Sequence, residues 1–208
     1  MNEPDEAVAR PTAHYPPADI TPAEFESFVT SLFDSIEEGG GIANLRIQNH
    51  EVVQGRDGSY DFDATVRYEL AGMAFLLLVE AKLHKNPIKR ETVQVLHQKL
   101  QSVGAQKGVL VSTAPFQRGA LDFALAHGIA LVTVTEGRFT FETKAATKPT
   151  TPTREETQNR FGLPIFVGHV YSNGDTPGSV GVTLMSPDYP DYLERLLPRV
   201  GQDTDSQV

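Results

Sequence analysis

Residues 60–82 read YDFDATVRYELAGMAFLLLVEAK. From Tyr60 onward, Tyr60, Phe62, Ala64, Val66 and Tyr68 alternate with Asp61, Asp63, Thr65, Arg67 and Glu69. A period of two is the signature of a half-buried strand. Ala71-Gly72 then offers a tight hairpin loop. Met73 to Leu83 is apolar almost throughout, as a central strand covered on both faces would be. With Leu70 paired to Met73, the register sets Asp63 opposite Glu80 and Asp61 opposite Lys82. Side chains alternate along a strand, so all four are expected on one face. Opposed Cβ atoms in such a pair lie only about 5 Å apart.

Two facing carboxylates repel unless something neutralises them. A hard divalent cation does so, and Mg²⁺ takes one or two carboxylates plus waters and phosphate oxygens. Lys82 lies within reach of a metal-bound water or a phosphate. Such a centre can make a nucleophile from water and stabilise the leaving oxygen of a phosphodiester. Two blander readings stand beside this one. Glu80 and Lys82 would make an ordinary surface ion pair, with Asp61 and Asp63 at a wet strand end. Asp63 with Glu80 would also serve as a glycosidase pair, although the neighbouring bases suit phosphate better than sugar. Against the surface pair stands the run Phe75-Leu76-Leu77-Leu78-Val79 directly before Glu80. Strand ends of α/β sheets are also where sites gather.

Working outward, Thr21-Pro22-Ala23-Glu24 combines a capping box with proline at the first helical position. It opens a helix that carries Phe25, Phe28, Val29, Leu32, Phe33 and Ile36 and stops at Gly39-Gly40-Gly41. A strand is expected over Asn44 to Gln54. After Asn86-Pro87, an amphipathic helix runs from Ile88 to Val103. A short strand follows over Gly108 to Ser112, a helix over Phe116 to His127, and a strand over Ile129 to Thr135. An edge hairpin is expected at Arg138 to Glu142. The run from Met73 to Thr135 implies parallel crossovers. The fold class is thus α/β, a mixed sheet flanked by helices.

The division along the chain is a flexible arm over 1–19, a main domain over 20–143, a Thr/Pro-rich linker over 144–160, a small hairpin-helix appendage over 161–200 and a tail over 201–208. In the appendage, strands are expected at Ile165 to Tyr171 and Ser179 to Met185, and a helix at Tyr189 to Leu197. It is expected to dock, or to mediate a homodimer or partner contact.

The 208 residues contain no cysteine, which removes thiol chemistry and Cys-ligated zinc and favours a reducing compartment, so the expected location is cytoplasmic. No apolar run approaches membrane-span length, and the acidic start lacks a secretory pattern. Histidines 14, 50, 84, 97, 127 and 169 show no zinc spacing. The net charge of −9 argues against a general polyanion binder, but the distribution is split. Residues 1–38 carry nine acids against one base, whereas 82–118 carry seven bases against one acid, a local +6. Such a stretch can be an electrostatic footprint.

An acid, then Glu80-Ala81-Lys82 on the next strand, then helix, strand, helix, strand, resembles the PD-(D/E)XK nuclease superfamily. Within it the chain is most similar to the Mrr-like restriction endonuclease domain. The supporting stretches are Tyr60 to Val66, Leu78 to Lys82, Gly104 to Thr113, Ala126 to Val132, and the opening helix with Phe25-Glu26. The resemblance covers roughly residues 20–136. It implies a Mg²⁺-dependent DNA endonuclease, with Mn²⁺ as a substitute, of restriction, defence or repair type. It assigns Asp63, Glu80 and the Ala81 carbonyl as metal ligands, Glu26 as a further acid, and Lys82 as the group orienting the attacking water. Asp61 is a rival for the Asp63 role. The chain departs from the family at Phe62, where a proline is usual, and at Glu80, where many Mrr-like proteins have Gln. Lys85, Lys89, Arg90 and Gln98 become candidate DNA contacts. The alternative is a catalytically inactive module of this fold that binds DNA or a protein partner, because fold alone does not carry activity.

Overall fold

The computed structural model describes residues 18–34, 42–136, 153–161, 164–173 and 180–186. The N-terminal arm up to residue 17, the glycine stop, the 138–142 hairpin, the helix expected at 189–197 and the tail lie outside them.

The front of the fold follows the expected hairpin. Strands β1 (Ile42–Gln54), β2 (Ser59–Leu70) and β3 (Met73–Lys82) pair antiparallel in sequence. Leu70 pairs with Met73 and Ala64 with Val79, which is the register read from the two-residue loop. Ala71 and Gly72 have φ of 51° and 78°, the paired positive values of a type I′ turn. Tyr68 stacks on its cross-strand partner Phe75, with ring centroids 5.2 Å apart.

The back of the fold is parallel. Helix α2 (Arg90–Val103) leads to β4 (Lys107–Ser112), and α3 (Arg118–Ala126) leads to β5 (Ala130–Glu136). Both strands are parallel to β3. The two helices start later than periodicity alone suggests. Ile88 is instead bridged to Phe116, with Ile88 N donating to Pro115 O at 2.8 Å and Gln117 N to Ile88 O at 2.9 Å. These residues belong to paired extended lead-ins. Gly104 closes α2 at φ 72°, the left-handed cap for which glycine carries no Cβ penalty.

The segment expected as a linker contains α4 (Arg154–Phe161). Strands β6 (Phe166–Asn173) and β7 (Val180–Met185) then form an antiparallel hairpin, and β6 pairs antiparallel with β5. The expected appendage hairpin is therefore part of one seven-stranded sheet of order β1-β2-β3-β4-β5-β6-β7.

Helix α1 (Pro22–Asp34) covers one face with Phe25, Phe28, Val29, Leu32 and Phe33 against Val66, Val79, Val111 and Val132. Its capping box is formed: Thr21 N donates to Glu24 Oε2 at 2.8 Å, and Glu24 N to Thr21 Oγ1 at 3.3 Å. Helices α2 and α3 cover the other face, packing Val93, Leu96, Leu100, Ala120 and Ala124 on Leu78, Leu110 and Leu131. The molecule is a mixed α/β sheet flanked by helices. Among the described residues, no helix is long and apolar enough to cross a membrane.

Candidate active site

The candidate site forms where β2 and β3 separate. The hydrogen-bonded ladder between them reaches Ala64 and Val79. Beyond it, the Asp63 side chain replaces the backbone partner, and Ala81 N donates to Asp63 Oδ2 at 2.6 Å. On its other side β3 stays paired, with Glu80 opposite Leu110, Ala81 opposite Val111 and Lys82 opposite Ser112. Asp63 is thereby fixed one residue from Glu80.

Glu80 follows Leu78 by two positions and faces α2. It is only 6% exposed, so it is not half of a surface pair. Lys82 Nζ donates to Glu80 Oε2 at 2.7 Å, and Lys99 Nζ, from α2, donates to Oε1. Burying a carboxylate is costly unless it is paired and hydrogen-bonded, and both oxygens are. Glu80, Lys82 and Lys99 line a cavity of about 310 Å³ with Glu91, Thr92 and Leu96. In the sequence Lys99 is one base among seven in a charged stretch. Its signal is position: three residues after Leu96 and one before Leu100, it flanks the apolar stripe that α2 lays on the sheet.

The loop after Lys82 is tied to the loop after β4. Thr113 N donates to Lys82 O at 3.2 Å, His84 N donates to Thr113 Oγ1 at 3.0 Å, and Thr113 Oγ1 donates to His84 O at 2.9 Å. Thr113 thus pins the chain that carries Lys82 and Lys85.

Asp61 departs from expectation. Ala64, Val66, Tyr68 and Leu70 face α1, but Phe62 packs in the cluster under α2, with Tyr60 against that cluster. The alternation skips at Asp63. Across the strand pair, His50 lies between Asn49, opposite Ala64, and Glu51, opposite Phe62, and it has φ 49°. The change of face falls beside this left-handed residue, and Asp61 no longer shares the face of Glu80. Four residues on one face is therefore corrected to Glu80 and Lys82 on the α2 face, with Asp63 at the switch.

The remaining candidates are spread more widely. Glu26 is exposed on α1, the helix on the opposite face, and makes no hydrogen bond or ion pair with Asp63 or Glu80 among the described residues. Lys85, Lys89 and Gln98 are exposed. The Arg90 guanidinium lies 5.2 Å from the centroid of the Phe123 ring. His97 and His127 come together with ring centroids 4.4 Å apart, a meeting of α2 with the end of α3 that spacing does not reveal.

The donors at the strand end are hard oxygens: the Asp63 and Glu80 carboxylates and the Ala81 carbonyl. That set suits a hard divalent cation. No cluster of three or more His, Cys, Asp or Glu able to hold a metal occurs among the described residues. Solvent and substrate oxygens would have to complete the coordination, as Mg²⁺ sites on phosphate substrates generally require.

Comparison with known proteins adds the family. A solved structure described as a protein of unknown function, AF1548, aligns with a TM-score of 0.36 and 19% identity over 42% of this chain and 48% of that one. The alignment spans about half of that protein. No curated protein matches the chain. The restriction endonuclease family model, that of the Mrr catalytic domain, matches residues 18–136, more than half of the chain. That span holds the α1-to-β5 core together with Asp63, Glu80 and Lys82, and the chain belongs to the Mrr-like restriction endonuclease family of PD-(D/E)XK nucleases.

Proposed function

We propose that the protein is a divalent-metal-dependent DNA endonuclease, served by Mg²⁺ with Mn²⁺ as a substitute, that hydrolyses phosphodiesters in restriction or repair. The observation that carries this reading is the fork of β2 and β3. There the buried Glu80 and the Asp63 carboxylate are fixed one residue apart, with Lys82 on Glu80. Asp63, Glu80 and the Ala81 carbonyl would hold the metal. When bound, it supplies a polarised water and neutralises charge on the phosphate. Lys82 orients the water through its ammonium. Lys85 and Lys89, exposed just beyond it, hold the flanking phosphates. Arg90 and Gln98 contribute further along α2. The pins from Thr113 keep the Lys82–Lys85 segment in place, so Lys82 meets the site already oriented.

The test is isothermal titration of Mg²⁺ or Mn²⁺ into the protein and its Asp63→Ala variant, beside plasmid cleavage. Metal binding lost in the variant, with metal-dependent nicking by the parent, is the expected result. DNA binding that persists in EDTA, with no cleavage in any metal, would replace this reading with the inactive DNA-binding module.

A further inference from the structure

Glu80 carries more positive charge than its own strand supplies. Lys82, two residues on, takes Oε2, while Lys99 reaches from a separate helix to take Oε1. The Lys99 ammonium also stands 5.3 Å from the centroid of the Phe62 ring. Its side chain borders the same cavity as Glu80 and Lys82. We propose that Lys99 is a positioning residue: it is the resident counter-cation of Glu80 in the metal-free protein and gives up Oε1 when a divalent cation is bound. This inference rests on the metal-dependent reading above.

A carboxylate this deeply buried is expensive to leave bare. Before metal arrives, the two ammoniums satisfy it and hold it in one orientation on the cavity wall. A divalent cation on the same carboxylate would face two positive groups a few ångströms away. Like charges at that range repel strongly in a partly buried site. One lysine has to withdraw.

The geometry selects Lys99. Lys82 starts from the same strand as Glu80, two residues on, with its backbone paired to β4 at Ser112 and tied again by Thr113 N on Lys82 O at 3.2 Å. Lys99 is anchored on a different element, with only its long flexible stem extended towards Glu80. The face of Phe62 gives its displaced ammonium a place to rest, because an aromatic face attracts a cation. Phe62 stands at the position where the sequence departs from the family's usual proline, and a proline would offer no such face. Metal loading is then an exchange of one cation for another on Glu80, with Lys99 keeping the carboxylate oriented until the exchange.

The experiment is Mn²⁺ titration by calorimetry into the full chain without substrate, comparing the parent with Lys99→Met and Lys99→Arg. Melting curves are taken in EDTA and in saturating Mn²⁺. Met keeps the stem and removes the charge, while Arg keeps the charge. The Mn²⁺ Kd is expected to fall by about tenfold or more in Lys99→Met and to stay within about threefold in Lys99→Arg. The melting deficit of Lys99→Met in EDTA should shrink once Mn²⁺ saturates. Lys99→Gln is expected to behave like Lys99→Met and replaces it if that variant does not fold. Binding by the neutral variants alone is the limiting form of the expected result. A lysine that merely braced the fold would not tighten metal binding on removal. Unchanged or weaker Mn²⁺ affinity in the neutral variants, with the parent binding, overturns this proposal and leaves the metal-dependent reading standing. No binding by the parent or by any neutral variant overturns this proposal, and plasmid cleavage in Mn²⁺ then decides the metal-dependent reading separately.

Discussion

Glu80 is the residue on which most of the site depends, and its neighbours decide what a substitution does. Glu80→Ala removes the carboxylate altogether. The two lysines it releases are 33% and 22% exposed and can regain water, so the fold should survive. Cleavage should fall by roughly a thousandfold or more in Glu80→Ala and in Lys82→Ala, the scale of losing about 4 kcal/mol of transition-state stabilisation. Plasmid nicking beside a melting curve checks both halves of the expectation. Glu51 on β1 shows the same logic away from the site. Burial alone would raise its pKa, but hydrogen bonds from Arg67 and Thr65, with the Arg67 charge, outweigh burial and hold it below the ordinary value. A depressed carboxylate stabilises the fold above its unfolded pKa, and that stability is lost as pH falls through the folded value. Denaturation followed from about pH 5 to about pH 3 should therefore show a shallower acid loss in Glu51→Gln than in the parent.

At the scale of elements, the β2–β3 hairpin shows how far a sequence can be read. Its register was legible because Ala71-Gly72 leaves room for only one tight loop, and a two-residue loop fixes every pair behind it. The order of helices and strands was legible too, because Val93, Leu96 and Leu100 repeat at helical spacing and Val109 to Val111 do not. The helix α4 in the expected linker and the pairing of β6 with β5 escaped the pattern, and near the site what escaped was local. The φ of 49° at His50 has no signature in the residue pattern of β2, and the change of face between Phe62 and Ala64 beside it is equally silent in the sequence. Lys99 escaped because periodicity says which stripe of α2 is buried, not which flanking side chain crosses to another strand. The hairpin itself is improvable. Ala71 adopts φ 51°, a region that costs an ordinary L-residue about 1 kcal/mol or more. Asn tolerates it and is favoured before Gly in type I′ turns. Ala71→Asn should stabilise the protein by about 1 kcal/mol, measured as a higher urea midpoint at unchanged slope.

For the whole molecule, the divided charge sets how it meets a polyanion. A chain of net charge −9 is repelled as a body, while the stretch from Lys82 to Arg118 attracts. Binding should therefore be orientation-selective and steeply salt-dependent. Each phosphate contact removed lowers the slope of log K against log salt by about 0.9. The Lys85→Ala, Lys89→Ala double variant should lose nearly two units of slope, roughly 1.8, in anisotropy titrations with Ca²⁺ in place of Mg²⁺. The same scale shows how the C-terminal strands are fastened. Arg154 on α4 donates to Glu136 Oε1 at 2.9 Å and to the Asp19 carbonyl, so one guanidinium joins α4, the end of β5 and the approach to α1. Burial of Glu136, 1% exposed, makes that fastening matter.

The family-matched span ends at Glu136, the last residue of β5, yet β5 is not the margin of the sheet. A chain cut there would keep Asp63, Glu80 and Lys82 but strip the β6 partner from Val132 through Glu136. The bared row of amides and carbonyls, flanked by apolar side chains, would be open to pairing with other copies. The excised family domain should then be sticky where the intact chain is not. For this protein the unit that completes the sheet beside β5 is larger than the unit that holds the candidate site residues.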